Sequence, residues 1–581
     1  MKKTTLFLAI ILVTVLAGCQ GNSKDNQPSL SPTLDQPVTS TTEATKAPEP
    51  TATATEVPVI EVVVTTEKDI VDGDTTHIDA LLADPGADGF VSLREAVLAS
   101  NQTLGMKRIV FSPTLKGMTL FMGKDQQYEE PRLLITADQL TLDGDVDGDG
   151  VSDITLDGSA LDSNYSSAFI LNASQITIEN LQFNGFKVFN IAIACVDDHC
   201  ADRSYEHIEI RNNVIFSDVG GGGILLSPLK IVSGMADPTL FSNISISDIQ
   251  IVDNQIAVSN GGNGGIFIMA AGAGGSDNHL ADILIHGNTI TSPGATITIN
   301  AGDGSSYYFR LPGDEIFSDR NLVEGVTISS NNLDPVGVGG DSARPSGMVM
   351  IGGNFGNSDN VIRDVVIKDN EVSAHAEHMV TLNPTNNEVL GGLPLTTRAA
   401  TGNVIENVEI AGNVSHADSS AFTLLASSGQ DPAPKGATGR ISHVWIHDNQ
   451  ILDYKWEGID FFAGVGESNN LIEDVVIEKN TFTALDITKG VSLFIYAGGC
   501  SGCTRPSDGN RILGLVIRDN IVNCNNFIFM SGGMEEYASN NTVEYFLGQN
   551  DVTPPDATMD IADSVSRKNS GNQAIALEQE P

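Results

Sequence analysis

The chain has 581 residues and a formal net charge of −43, because 74 acidic side chains stand against 31 basic ones. This excess of negative charge argues against nucleic acid as a partner and against unaided capture of polyanions. The length is ample for a sizeable core, and one elongated repeat structure would account for it without several globular domains.

The N-terminus predicts export from the cytosol. Two lysines precede an apolar stretch from Leu6 to Leu16, which is too short to span a bilayer and suits a signal peptide. The stretch ends in Leu-Ala-Gly-Cys19, which resembles the lipobox of bacterial lipoproteins. The resemblance implies that residues 1–18 are removed and that Cys19 carries a lipid. This lipid would be the only contact with the cell membrane or outer membrane. An ordinary cleaved signal that happens to contain a cysteine is the alternative.

Residues 19–60 predict a tether. They are crowded with Ser, Thr and Pro and contain no aromatic residue. Such a segment cannot bury enough apolar surface to fold and behaves as a semi-extended chain. We therefore expect it to hold a folded part clear of the membrane surface.

Residues 61–150 predict a cap for one end of a solenoid. Ser92 and Glu95 form a capping-box pattern at the start of a short helix with one apolar face. The run Ser-Leu-Arg-Glu-Ala at 92–96 resembles the CSLREA domain that precedes β-helices in many bacterial surface proteins. That family's leading cysteine is Val91 here, so no disulfide carries over. The resemblance implies an extracellular setting and no defined activity.

An acidic loop closes this segment and predicts a structural calcium site. Four carboxylates occupy its positions 1, 3, 5 and 9, namely Asp145, Asp147, Asp149 and Asp153. Gly150 at position 6 permits the turn such loops make around a hard cation. The loop resembles the calcium loops of dockerins and thrombospondin type 3 repeats. Position 12 is Leu156 where an EF-hand has a bidentate Glu, and a simple acidic turn is the alternative.

An asparagine recurs ten times in one local pattern of alternating apolar residues, at intervals of 30 to 43 residues. Fixed self-similarity of this kind indicates a repeat structure. The positions are Asn213, Asn254, Asn288, Asn331, Asn370, Asn413, Asn449, Asn480, Asn520 and Asn550. In seven of the ten repeats a second asparagine stands ten residues earlier, at Asn278, Asn321, Asn360, Asn403, Asn470, Asn510 and Asn540. An amide at a sharp turn can donate to one neighbouring coil and accept from the other, so we predict structural ladders.

Each repeat also carries extended runs rich in Ile and Val, and no segment between them has a helical period. Leucine-rich repeats are shorter, and a ten-bladed propeller exceeds the usual four to eight blades. The chain resembles the pectin-lyase superfamily over residues 151–552. We predict an all-β, single-stranded right-handed parallel β-helix of about ten or more coils with an N-terminal capping helix. Residues 553–581 are predicted to be a flexible tail.

Candidate catalytic residues are few. Asp460 is a charged residue in an otherwise apolar strand, shortly after Trp456 and Glu457. A carboxylate pair beside an aromatic platform could perform acid–base chemistry on a sugar. A solvent-facing carboxylate is the alternative for Asp460. The hydrolase and lyase patterns of the superfamily cannot be matched residue by residue.

Candidate ligand-binding residues lie in the variable loops at 301–320, 383–402 and 426–439, which we expect to gather along one edge of the solenoid. The first loop contains Tyr307, Tyr308 and Arg310, and Trp456 offers a further aromatic surface for a sugar ring. Packing of these loops onto the β-helix is the alternative.

The cysteines leave several pairings open. Cys195 lies close to Cys200 and Cys500 close to Cys503, with Cys524 left over. Local disulfides, free thiols, a metal or redox role, and a bridge from Cys503 to Cys524 all remain possible outside the cytosol.

Taken together, these features predict a membrane-anchored extracellular β-helix protein that binds polysaccharide or a surface glycan, with calcium as a structural ion. Two alternatives of other classes remain: a polysaccharide lyase or glycoside hydrolase, and a structural or adhesive surface protein.

Overall fold

The computed structural model describes residues 58–581 apart from internal gaps. The gaps are 127, 129–130, 162–166, 196–199, 218–220, 231–240, 260–263, 272–274, 303–316, 337–345, 355, 388, 391–392, 395–397, 430–433, 500–504, 506, 534–537 and 565–569. The predicted signal peptide, Cys19 and nearly all of the tether lie outside the described residues. So do Tyr307, Tyr308, Arg310, Cys500 and Cys503.

Three parallel sheets run the length of the described chain, and successive coils add one strand to each sheet in turn. The first sheet has 15 strands: Ile60–Val64, Lys107–Phe111, Leu140–Asp143, Ile176–Glu179, Ser204–Arg211, Ser245–Val252, His279–His286, Leu322–Ser329, Val361–Lys368, Asn403–Ala411, Gly439–His447, Leu471–Glu478, Arg511–Arg518, Thr542–Leu547 and Gln573–Ala576. The second sheet has 13: Thr119–Phe121, Ile154–Asp157, Leu181–Asn184, Val214–Ser217, Gln255–Val258, Thr289–Ser292, Asn332–Pro335, Glu371–Val372, Val414–Ser415, Gln450–Tyr454, Thr481–Ala484, Ile521–Asn523 and Asp551–Thr553.

The third sheet has 14 strands: Leu133–Ile135, Phe169–Leu171, Phe189–Cys195, Gly222–Lys230, Ile266–Met269, Ile297–Asn300, Met348–Asn354, His378–Asn387, Ser420–Leu425, Ser428–Gly429, Glu457–Gly464, Val491–Gly498, Asn526–Gly533 and Thr558–Ser564. A small antiparallel pair, Val389–Leu390 with Leu393–Pro394, lies beside it. The prediction of an all-β parallel β-helix solenoid is confirmed.

The N-terminal segment contains the predicted helix, Leu93–Asn101, and a second short helix, Ile78–Ala83, that was not predicted; a 3₁₀ turn follows at Pro113–Leu115. Ser92 and Glu95 make both hydrogen bonds of the capping box. Arg94 reaches from the second helix to the buried carboxylate of Asp69, with Nε and Oδ1 2.7 Å apart.

The stacking extends beyond the predicted limits of the solenoid at both ends. The strand Ile60–Val64 already pairs in parallel with Lys107–Phe111, so the cap segment contributes coils of its own. At the other end, Thr558–Ser564 and Gln573–Ala576 continue the third and first sheets. The segment 553–581 therefore contains two strands of the solenoid, where the sequence predicted a flexible tail.

The predicted asparagine ladder is present, and Asn370 shows its geometry. Its backbone N–H and its Nδ2 both donate to Oδ1 of Asn413, each at 3.0 Å. Its Nδ2 also donates to the Ile328 carbonyl at 3.0 Å. Its own Oδ1 accepts from the backbone N–H and Nδ2 of Asn331, at 3.0 and 2.9 Å. Each amide thus ties three successive coils together.

The second ladder differs from the prediction at its end. Asn541, and not Asn540, accepts from the backbone N–H of Asn510 and donates to Asn572. Asn540 instead has the left-handed backbone of the preceding turn residue, with φ of 56°. The same conformation recurs before the first ladder, as at Asp253 and Asp369, where short polar side chains tolerate it.

The interior of the coils is filled by one continuous set of buried apolar side chains, mostly Ile, Val, Leu and Phe. Along each strand these residues alternate with outward-facing ones, as the period of two requires. Across the described part of the chain, no helix combines the length and the apolar character needed to cross a lipid bilayer.

Candidate functional site

The outer face of the third sheet brings together residues that are far apart in sequence. Ile297 and Ile299 point into the core, so Thr298 and Asn300 between and beside them face outward. Because the strands pair in register, equivalent residues of successive coils stack about 4.8 Å apart. One row follows from this pairing: Thr298, Val349, Thr381, Thr423, Asp460, Phe494, Phe529 and Asp560. A second row, two residues further along each strand, contains Asn300, Ile351, Asn383, Leu425, Phe462, Tyr496 and Ser531.

In the N-terminal part of the two rows, buried polar residues alternate with the half-buried Val349 and Ile351. Thr298, Asn300 and Asn383 are 8%, 6% and 3% exposed. Thr298 Oγ1 and the Oδ1 atoms of both asparagines have no hydrogen-bond partner among the described residues. Buried polar atoms in native proteins are almost always satisfied, and leaving one unpaired costs about 1–3 kcal/mol. A ligand that donates hydrogen bonds along this face would remove that cost.

The middle of the rows carries a connected set of hydroxyl, imidazole and carboxylate groups. Thr423 Oγ1 donates to Asp460 Oδ1 at 2.7 Å. Ser420 Oγ lies 3.1 Å from Thr423 Oγ1 and 2.6 Å from His378 Nδ1. Burial lowers the pKa of His378, so its imidazole is neutral at pH 7. Asp460 is 8% exposed, so the interpretation of it as a solvent-facing carboxylate is wrong.

Glu457 and Asp460 stand three residues apart on one strand, and both have raised pKa values. Burial raises the pKa of the Asp460 carboxyl to about 6, against opposing hydrogen bonds from Thr423 and Ser420. Burial, assisted by the nearby charge of Asp460, raises the pKa of the Glu457 carboxyl to about 8. At neutral pH one group is mainly ionised and the other mainly protonated. Two carboxyls held in different protonation states are the arrangement that acid–base catalysis on sugars requires.

Aromatic rings occupy the C-terminal part of the rows. The Phe494 ring lies 4.7 Å from that of Tyr496, edge to face, and 5.5 Å from that of Phe529, stacked. Phe462 stacks parallel to Tyr496 at 6.3 Å. Burial raises the pKa of Tyr496, with further contributions from the charges of Asp560 and Glu457. The aromatic cluster therefore lies close to Glu457 and Asp560.

The structure brings the predicted site residues together only in part. Asp460 and Glu457 lie in this neighbourhood, and Trp456 precedes them with 60% of its surface exposed. Sequence reasoning missed Thr298, Asn300 and Asn383, and also the rings of Phe494 and Tyr496. A signal for the asparagines exists, since Ile-Thr-Ile-Asn at 297–300 and Val-Thr-Leu-Asn at 380–383 repeat one pattern.

The acidic loop lies apart from this face, between the cap and the following coils. Carboxylate oxygens of Asp145, Asp147 and Asp149 come within 4.8 Å of one another, a spacing that fits a shared cation. Asp153 is held elsewhere: its Oδ2 accepts from the backbone N–H of Val146, and its Oδ1 lies 3.4 Å from Lys116 Nζ. Lys116 also pairs with Asp147.

Asp145 is fixed by the loop backbone. Its carboxylate accepts from the N–H groups of Gly148 and Gly150 at 2.7 and 2.8 Å. Burial opposes its ionisation, but these backbone hydrogen bonds outweigh burial and hold the pKa of Asp145 below its ordinary value. Asp145, Asp147 and Asp149 would be the ligands of a calcium ion bound in this loop, and Lys116 would compete with it for Asp147.

Among the described cysteines, Cys195 and Cys200 form a disulfide, which confirms a local pairing for these two. Cys524 is a buried free thiol.

No protein-family model matches the chain, and no curated protein matches it. Among solved structures, the catalytic domain of Agl-KA is 12% identical with a TM-score of 0.35, over 83% of this chain and 64% of that one. The A-module of the mannuronan C-5 epimerase AlgE6 from Azotobacter vinelandii is 12% identical with a TM-score of 0.29, over 84% and 95%. PfbA, a surface adhesin of Streptococcus pneumoniae, is 14% identical with a TM-score of 0.35, over 71% and 90%. At such identities the similarity concerns the fold alone, and the class that the sheets define is the parallel β-helix.

Proposed function

We propose that the protein binds an extracellular polysaccharide or surface glycan along the outer face of the third sheet. The observation that carries the proposal is the set of three buried polar atoms without partners, on Thr298, Asn300 and Asn383, in line with an aromatic cluster. Sugars present hydroxyl groups at their edges and apolar C–H faces, so such a face offers complementary contacts to successive sugar units.

A glycan array probed with the full chain tests this proposal. We expect binding to one class of polysaccharide, weakened at least tenfold by Phe494→Ala and by the double substitution Asn300→Leu/Asn383→Leu. Substitutions on the first sheet, such as Glu409→Gln, should leave binding unchanged. Silence of the whole array, combined with aggregation of cells that display the protein, would favour a structural or adhesive role instead.

A polysaccharide hydrolase or lyase is the second candidate function, because Glu457 and Asp460 have the divided protonation that an acid and a base need. Incubation with the same glycans should then release reducing ends or unsaturated uronates. Glu457→Gln should reduce product formation at least a hundredfold while the protein still binds. Binding without any product supports the binding protein.

We also propose that the protein is held outside the cytoplasm by a lipid on Cys19, and that the cap is a CSLREA-like segment. The lipobox-like run before Cys19 and the Ser-Leu-Arg-Glu-Ala run support these assignments. Cys19→Ala removes the thiol that would be lipidated, so we expect this variant to leave the membrane fraction after carbonate washing. Retention equal to that of the wild type would contradict the lipid anchor.

A further inference from the structure

The outer face of the third sheet is unusual in its charge. The nine strands from Ile266–Met269 to Thr558–Ser564 that continue the main order of the sheet contain neither Lys nor Arg within their described bounds. Their Asp, Glu and His residues are four acids and one histidine: Glu457, Asp460, Asp560, Asp563 and His378. A ligand on this part of the face therefore meets carboxylates and an imidazole, and no Lys or Arg of these nine strands.

On the first sheet, several acidic side chains are paired with arginine. Glu324 accepts from Arg363 Nε at 2.7 Å, and Glu473 accepts from Arg440 Nε at 2.7 Å. Glu478 accepts in the same way from Arg518, also at 2.7 Å. Arginine on a neighbouring coil thus neutralises the carboxylate in each case. No such partner among the described residues joins Glu457 or Asp460, although Asp460, like Glu478, is buried.

We propose, on the basis of the proposed function, that this face selects glycans by charge: it accepts sugars that carry an ammonium group or no charge, and it rejects uronates. An ammonium group on the ligand would supply the missing counter-charge to the ionised Asp460. The same group is attracted to the faces of the Phe462 and Phe494 rings. A neutral sugar can donate hydroxyls to Asp460 and to the unpartnered oxygens of Asn300 and Asn383.

A uronate would meet the opposite situation. Its carboxylate would approach the ionised Asp460 in a partly buried site, where like charges repel more strongly than in water. No Lys or Arg of the described strands could form the paired contact by which proteins usually hold carboxylates. The expected order of affinity is therefore amino sugar, then neutral sugar, then uronate.

The overall charge of −43 would by itself favour cations, so the test must separate the local from the global effect. Oligomers of β-1,4-, β-1,3- and α-1,4-linked glucose serve as neutral probes, each paired with its own derivative oxidised at C6 to the uronate. Oligomers of β-1,4-linked glucosamine serve as the cationic probe. Affinities for the full chain are measured by calorimetry at physiological and at high salt, because high salt screens distant surface charges far more than a partly buried contact.

We expect each uronate derivative to bind at least tenfold more weakly than its parent, and glucosamine oligomers to bind at least threefold more tightly than their glucose counterparts, at both salt concentrations. In the variant Glu457→Gln/Asp460→Asn both ratios should fall below threefold. The matched control Asp369→Asn/Glu371→Gln neutralises two exposed acids on a different coil and should keep the wild-type ratios. Circular dichroism confirms that both variants fold.

Two kinds of failure are distinguishable. Uronates that bind as tightly as their parents, or ratios that survive in Glu457→Gln/Asp460→Asn, would overturn the charge selection while leaving glycan binding in place. Absence of binding to every probe and to the wider array would overturn the proposed function, and the selection with it.

Discussion

The asparagine ladder and the outer face of the third sheet are both lines of buried polar side chains that repeat from coil to coil. In the first ladder each amide finds its partners within the chain, as Asn370 does with Asn331 and Asn413. On the third sheet, Asn300 and Asn383 are equally buried, yet their carbonyl oxygens find none among the described residues. The same residue type thus stabilises the scaffold in one place and leaves hydrogen-bonding capacity unused in the other.

This difference separates structural polar groups from groups available to a ligand. A satisfied amide in a repeat contributes to the contacts between coils, on which the stability of a solenoid depends. An unsatisfied buried amide lowers stability unless water or a ligand provides its partner, and on the third sheet we propose a ligand. Substitutions of equally buried asparagines should therefore lower the stability of the protein in the ladder and leave it unchanged or higher on the third sheet.

The largest expected effect is that of Asn370→Leu. The substitution removes the acceptor of two N–H donors of Asn331, and it removes the Nδ2 group that donates to Asn413 and to the Ile328 carbonyl. Each buried group left unpaired costs about 1–3 kcal/mol, so we expect a loss of several kcal/mol and a clearly lower melting temperature. Glu371→Ala, at the exposed neighbouring position, should cost little. Equal melting temperatures for the two variants would contradict the structural role of the ladder.

The ladder could be predicted from the sequence because its asparagines recur at regular intervals, and this spacing alone indicates that they stack from coil to coil. The prediction failed at Asn540, since the register shifts where Arg511–Arg518 meets Thr542–Leu547 and the ladder residue becomes Asn541. The last strand was missed although Asn572 precedes it in the second ladder, because no asparagine of the first ladder follows in the sequence.

The site was harder to predict for a physical reason. Asp460 stood out locally, as a charge within an apolar strand. Thr298, Asn300 and Asn383 are ordinary polar positions in an alternating strand, and only the register of coils that are 30 or more residues apart aligns them. Whether a side chain of this kind finds a partner depends on those neighbours, which a local pattern does not contain.

The second prediction concerns pH. The pKa of Glu457 is raised to about 8 in the folded protein, so burial of its charge costs stability once it ionises. This part of the stability is complete below the ordinary pKa of a Glu and is lost as the pH rises through 8. With roughly 1.4 kcal/mol per pKa unit, Glu457→Gln should stabilise the protein by about 2–4 kcal/mol at pH 9 relative to the wild type, and by almost nothing at pH 4. Melting curves across this range, with Glu371→Gln as control, would refute the assignment if the wild type and Glu457→Gln ran parallel.

A smaller effect is expected at the acidic loop, for which we propose calcium. If Asp145, Asp147 and Asp149 bind the ion, it stabilises the fold by about 2.7 kcal/mol at a hundred times its dissociation constant. Chelation should lower the melting temperature, and Asp147→Asn/Asp149→Asn should abolish that sensitivity. Lys116→Met should tighten calcium binding in calorimetry, because it removes the cation that pairs with Asp147. If calcium gave no heat of binding and chelation did not shift the melting temperature, the loop would be a simple acidic turn and not a calcium site.

The smallest effect on stability is expected for Asn383→Leu on the third sheet. The same change of residue type, Asn→Leu, should be the most destabilising one at Asn370 in the ladder. Asn383 is 3% exposed and Asn370 is 1% exposed, so Asn→Leu changes a buried amide to an apolar side chain of similar size at both positions. At 383 the change removes an oxygen without a partner and places Leu in a row with Ile351 and Leu425. We expect the melting temperature of Asn383→Leu to stay within about one degree of the wild type or to rise, since deleting an unsatisfied buried group is neutral or favourable. Affinity for the glycan that the array identifies should nevertheless fall, because the oxygen available to the ligand is lost. A melting temperature as low as that of Asn370→Leu, with glycan affinity intact, would make Asn383 a scaffold residue and remove the distinction between the two lines.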